Sequence, residues 1–170
     1  MGAFCLIGVI CFQGTFFYLN FKKQNDAFIV FNKSRFSIIG QKQNDRLIIH
    51  HNLDSIKQFT DNVVRNYKVG EMIDLVSTDS LQNTYKYKDK TILVIDSLGV
   101  YKSLSFNTDY VLLRNSPKIN LNRVIDSLKP KVFIADASNY KTYIKRWKAT
   151  CIDKKIPFHY TNEKGAFILQ

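Results

Sequence analysis

The chain has 170 residues, enough for one domain with a real core and a short appendage. Hydrophobic residues make up 45% and aromatics 14%, which excludes a disordered composition. Twenty-five Lys+Arg against fourteen Asp+Glu give a net charge of +11 and a pI near 9.6. That balance fits a polyanionic partner (nucleic acid, anionic lipid head groups, acidic proteins) or a lysine-rich surface bathed in water, and composition leaves both open.

The first element in chain order is apolar. Residues 3–19 carry only Gln13 and Thr15 as polar interruptions, and they end in Phe16, Phe17 and Tyr18 followed by Lys22 and Lys23. The length and the aromatic-then-lysine exit predict a transmembrane helix over residues 1–21. A signal peptide would start with a positive segment, and this one does not. Residues 22–26 then read as a short polar linker, and residues 27–170 as a basic α/β domain.

Residues 27–51 read as a meander: strands at 27–31, 35–39 and 46–50, with turns at 32–34 and 43–45 and Gly40 closing the second strand. A helix is expected over 54–67, where Ile56, Phe59, Val63 and Tyr67 share one face and Gly70 follows as a stop. Strands follow at 84–87, 91–95 and 109–113. Asn120 is placed to cap a helix ending at Leu128 before Lys129-Pro130. A strand at 132–135 leads to a helix capped by Ser138 or Asn139 and reaching about residue 155. Strands at 158–160 and 166–169, joined by a polar turn, close the chain. This order predicts an α/β (α+β) fold with a mixed sheet covered by helices.

The chemistry is mostly absent. His50 and His51 are neighbours on a strand and point to opposite faces, and His159 lies on another strand. Cys5, Cys11 and Cys151 form no CxxC pair, and no metal-ligand array, nucleophile elbow or nucleotide loop is present. No metal, cofactor or catalytic residue is assigned. Asp96-Ser97 after a strand is the single hydrolase alternative, set against an ordinary turn role. The segment that stands out is the helix at 139–155. Lys141, Lys145 and Lys148 share one face, and Tyr140, Tyr143, Ile144 and Trp147 share the other. That is an ordinary amphipathic helix, a stripe that contacts phosphates, or a helix for a lipid surface.

Several segments together resemble the C-terminal tail of ComEC-type competence proteins, the DNA-internalisation channels. They are residues 109–136, with Tyr110-Val111-Leu112-Leu113, Arg114-Asn115-Ser116-Pro117-Lys118 and the run from Leu128 to Asp136; then Ser138-Asn139-Tyr140, Trp147, Cys151, Ile156-Pro157-Phe158-His159 and Lys164-Gly165-Ala166-Phe167. Phe31-Asn32-Lys33-Ser34-Arg35 and Asp96-Ser97-Leu98-Gly99 are similar too. The resemblance implies a degenerate metallo-β-lactamase-like domain. Loop 114–118 and residues 137–141 stand where that fold carries metal-binding histidines. It also implies a non-catalytic module at the bacterial inner membrane, on the periplasmic side, working with the remainder of a channel. DNA would be bound or guided without regard to sequence by Lys141, Lys145 and Lys148, and by Arg114, Asn115 and Lys118 in the former metal-site loop. The alternative is a purely structural domain that braces the channel.

Overall fold

The computed structural model describes residues 2–23, 26–53, 61–101 and 107–170, and in the first helix the side chains of residues 7–18. Helix α1 (Gly2–Lys23) is followed by strands β1 (Ala27–Val30), β2 (Ile38–Gln43) and β3 (Arg46–His51). Helix α2 (Asn62–Gly70) leads to β4 (Leu75–Asp79), β5 (Thr84–Tyr87), β6 (Lys90–Ile95) and β7 (Tyr110–Leu113). Then come α3 (Leu121–Leu128), β8 (Val132–Ala135), α4 (Lys141–Asp153), β9 (Phe158–Tyr160), the single turn α5 (Thr161–Lys164) and β10 (Phe167–Leu169).

The α/β reading holds, but the strands form two five-stranded sheets instead of one. The first has the order β10-β1-β2-β3-β4 and the second β5-β6-β7-β8-β9. The reason lies in the side-chain alternation of strands buried on both faces. On β1, Phe28 and Val30 face the second sheet, where they meet Tyr85, Ile92, Val94, Leu112 and Ile134. Ala27 and Ile29 face outward, into a core with Leu47 and Ile49 against half-buried Val63, Val64 and Tyr67 of α2. The second sheet repeats this. Leu93, Ile95, Val111, Leu113 and Phe133 face outward onto Leu121, Val124 and Ile125 of α3 and Ile144, Trp147 and Cys151 of α4. The result is four layers: helix, sheet, sheet, helices.

Other details differ from the sequence pattern. The second strand starts at Ile38, and Gly40 lies within it instead of closing it. A Cβ at Gly40 would lie 2.9 Å from the Phe31 ring, so glycine lets β2 pass beneath that ring. Strand β4 has no counterpart in the sequence pattern because it is an exposed edge strand with no apolar alternation. The polar turn before β10 contains α5, and β10 pairs antiparallel with β1 in the other sheet, not with β9. Ile56 and Phe59 of the expected helix, and the Asp54-Ser55 pair, lie outside the described residues.

The apolar N-terminal segment is a helix, but among the described residues no helix is long and apolar enough to cross a membrane. Gln13, Gly14 and Thr15 interrupt its apolar run, and Thr15 turns its hydroxyl back onto the Cys11 carbonyl at 2.7 Å. Its described side chains stay out of the cores: Ile7, Val9, Ile10, Phe12, Phe16, Phe17 and Tyr18 are all exposed.

Candidate functional site

Strand direction gathers the polar residues at one end of the sandwich. Strands β6, β7, β8 and β9 run parallel, as do β3 and β4. Strand β1 runs with β3, because both are antiparallel to β2. The β1–β2 connection reaches the second sheet where β8 ends, with the Arg35 amide donating to the Ala137 carbonyl at 3.1 Å. The C-terminal ends of strands from both sheets therefore share one rim, the usual place for ligands in α/β folds.

Asp136 sits at the centre of that rim, fully buried, directly after β8. Its Oδ1 accepts from the Ser138 hydroxyl at 2.5 Å, the Ser138 amide at 3.1 Å and Asn139 Nδ2 at 3.1 Å. Its Oδ2 accepts from the hydroxyl of Ser37, on the other sheet. Arg114 Nε donates to Ser37 Oγ at 3.2 Å, so a cation stands one hydroxyl away from the carboxylate. Burial raises the Asp136 carboxyl above the usual carboxylate range, outweighing the donors from Ser138 and Ser37 and the charge of Arg114.

The loop after β7 is built onto this centre. The Asn115 amide donates to Ser138 Oγ at 2.8 Å, and the Ser116 amide to Asn139 Oδ1 at 2.8 Å. Asn139 Nδ2 donates to the Leu113 carbonyl at 2.7 Å and to the Asp136 carbonyl at 3.0 Å. The Tyr140 amide, at the start of α4, donates to Ser116 Oγ at 2.7 Å. Asn115 and Ser116 both hold left-handed φ, 52° and 51°, a costly pair for side-chain-bearing residues that these bonds maintain.

This changes the roles expected for Ser138, Asn139 and loop 114–118. Ser138 and Asn139 do not cap the following helix; Tyr140 is its N-cap residue, with no side-chain bond. The amides of these two left-handed residues both donate inside the protein and so offer no site for an anion. Arg114 and Asn115 are half-buried and tied to the Asp136 centre, whereas Lys118 is exposed. Among the described residues no group of three or more His, Cys, Asp or Glu is placed to hold a metal ion. His50 is buried with its ring edge on Tyr85, its Nδ1 2.9 Å from the Ser80 carbonyl. His51 lies on the opposite face of β3, and His159 Nε2 donates to the Gly165 carbonyl at 3.0 Å. Asp96 lines a cleft of about 170 Å³, but its Oδ1 accepts from the Leu98 amide at 3.0 Å, an Asx turn.

Next to the rim, α4 carries the basic stripe. Ile144, Trp147 and Cys151 point into the core, and Lys141, Lys145 and Lys148 are exposed together along a groove of about 510 Å³. Tyr160, Asn162 and Glu163 form its other wall. At about 1.5 Å of rise per residue the three lysines cover about 10 Å of helix. Arg146 lies off the stripe, its guanidinium 4.9 Å from the Tyr143 ring centre. Glu163 carries no signal in the local sequence. It reaches Lys148 across a fifteen-residue separation, Oε2 to Nζ 2.7 Å.

The family model of the ComEC C-terminal domain matches residues 28–170. The chain belongs to the ComEC C-terminal domain family. No curated protein and no solved structure matches it. The ComEC C-terminal domain match begins one residue into β1 and runs to the last residue, so it takes in both sheets, the Asp136 centre and the α4 stripe.

Proposed function

We propose that this domain holds or guides DNA in a competence DNA-uptake machinery, through the phosphate contacts of Lys141, Lys145 and Lys148, without hydrolysing it. The observation that carries the reading is the alignment of three exposed lysines on one face of α4, along an open groove beside the rim. Contacts of this kind are blind to sequence and sensitive to salt. Lys118, exposed after the rim loop, is a further candidate for phosphate contact. The rim itself reads as a degenerate metallo-β-lactamase-type site. Where the resemblance puts metal-binding histidines stand Arg114, Asn115, Ser138 and Asn139, bonded to one another and to Asp136.

Helix α1 supplies the second part of the reading. Its exposed apolar side chains would attach the domain to the membrane-embedded remainder of a ComEC-type channel, at the bacterial inner membrane with the basic domain on the periplasmic side. That surface also favours a second reading, a domain that only braces the channel, since apolar exposure needs a partner whether or not DNA is bound.

The test is binding of a labelled oligonucleotide by the full chain in mild detergent, titrated with salt, with and without divalent metal. Micromolar binding that weakens steeply with salt, without cleavage, supports the DNA reading. The triple Lys→Gln variant at 141, 145 and 148 should weaken it on every sequence and flatten the salt dependence by about 0.7–0.9 for each phosphate no longer neutralised. No binding at low salt favours the bracing role, and metal-dependent cleavage overturns the non-hydrolytic reading.

A further inference from the structure

The groove that displays the lysines also contains its own anion. Glu163 is the carboxylate on its far wall, and it takes Lys148 rather than solvent. Both side chains stay about half exposed, at 45% and 47%, so the pair can open without disturbing the core. Its position is fixed by α5, whose first residue, Thr161, is fully buried, and by the next side chain, Lys164, which donates to the Phe158 carbonyl at 2.9 Å. Lys141 and Lys145 have no such partner among the described residues, so the three cations of the stripe are not equivalent.

Building on the proposed phosphate contacts of the stripe, we propose that Glu163 is an internal competitor for them: it occupies Lys148 as a phosphate oxygen would, and a bound polyanion must displace it. A carboxylate oxygen 2.7 Å from an ammonium makes the same charge-assisted bond as a phosphate oxygen. Glu163 therefore reduces affinity by one phosphate's worth of binding. An exposed pair of this kind contributes little to folding, so removing it changes binding without changing the fold. The domain would then hold DNA weakly enough to release it as the strand moves on.

The experiment is a four-way comparison of wild type, Glu163→Gln, Lys148→Gln and the double variant. Binding of a labelled oligonucleotide by the full chain is measured from low to high salt. The expected result for Glu163→Gln is several-fold tighter binding, with the salt slope steeper by about 0.7–0.9, as one further phosphate is neutralised. Lys148→Gln alone should weaken binding, as one phosphate contact of the stripe is lost, and in the double variant Glu163→Gln should bring no gain over Lys148→Gln. Should Glu163→Gln leave affinity and slope unchanged while the wild type binds, the competitor role is overturned and the stripe stands. A gain that persists in the double variant also overturns it, as a plain effect of net charge. Binding by neither the wild type nor Glu163→Gln sinks both this inference and the DNA reading.

Discussion

Asn139→Ala gives the sharpest test of how the rim is held. Asn139 is buried, and its amide bridges the ends of β7 and β8 to the loop between them. The substitution removes the bonds to the Leu113 carbonyl (2.7 Å), the Asp136 carbonyl (3.0 Å) and the Ser116 amide (2.8 Å). Each is worth about 1 kcal/mol net, and an amide left buried without a partner costs about 1–3 kcal/mol. The Ser116 amide becomes such an orphan, and Ser116 keeps its left-handed φ with one restraint fewer. The expected loss is about 3 kcal/mol, with a melting shift of about 6–12 °C for a chain of this size. Urea unfolding of the full chain measures it directly. Trp147 is the sole tryptophan and is 1% exposed, so its emission reports the core against which α4 packs. A midpoint shift worth less than about 0.5 kcal/mol at unchanged slope would refute the reasoning, because it would mean the loop keeps its shape without Asn139.

Asp136 and Cys151 give two further tests. Burial raises the Asp136 carboxyl in the folded state, so the acid form is favoured there. Its stabilising contribution is then full below the unfolded-state value of about 3.9 and is lost as pH rises through the folded-state value. The stability deficit of Asp136→Asn relative to wild type should therefore be largest near pH 4 and shrink toward neutrality; a deficit that grows with pH would show that the donors, not burial, control this carboxyl. Cys151 is 1% exposed and burial pushes its thiol up to about 12, so in a Cys5→Ser, Cys11→Ser background it should resist iodoacetamide at pH 8 and react once urea unfolds the chain. Rapid native labelling would mean that α4 opens readily from the second sheet.

Much of this domain was written locally. Strands β1, β3, β6, β7 and β8 are apolar runs bounded by turn residues, and α3 has a side-chain cap at Asn120 and a left-handed C-cap at Lys129. The amphipathic period of α4 already put Ile144 and Trp147 on one face and Lys141, Lys145 and Lys148 on the other, so the exposed lysine face was legible from spacing alone. The composition carried the net charge, and the segment resemblance carried the family.

Pairings between distant residues were not legible. Runs buried on both faces do not say which sheet each face meets, so the pairing of β10 with β1 and the division into two sheets depended on packing. Strand β4 is held by its ladder to β3, and an exposed edge leaves no apolar alternation to read. Ser37, expected within a strand, meets Asp136 across ninety-nine residues and so joins the two sheets at the rim. The same tertiary bonds occupy Arg114 and the amides of Asn115 and Ser116, and bring Glu163 to Lys148. Sequence by itself determined which residues carry charge and which faces are apolar, because both depend on residue type and local period. Tertiary structure alone decided which charges stay available, because a cation is occupied or left open according to the group that chain topology brings within about 3 Å of it.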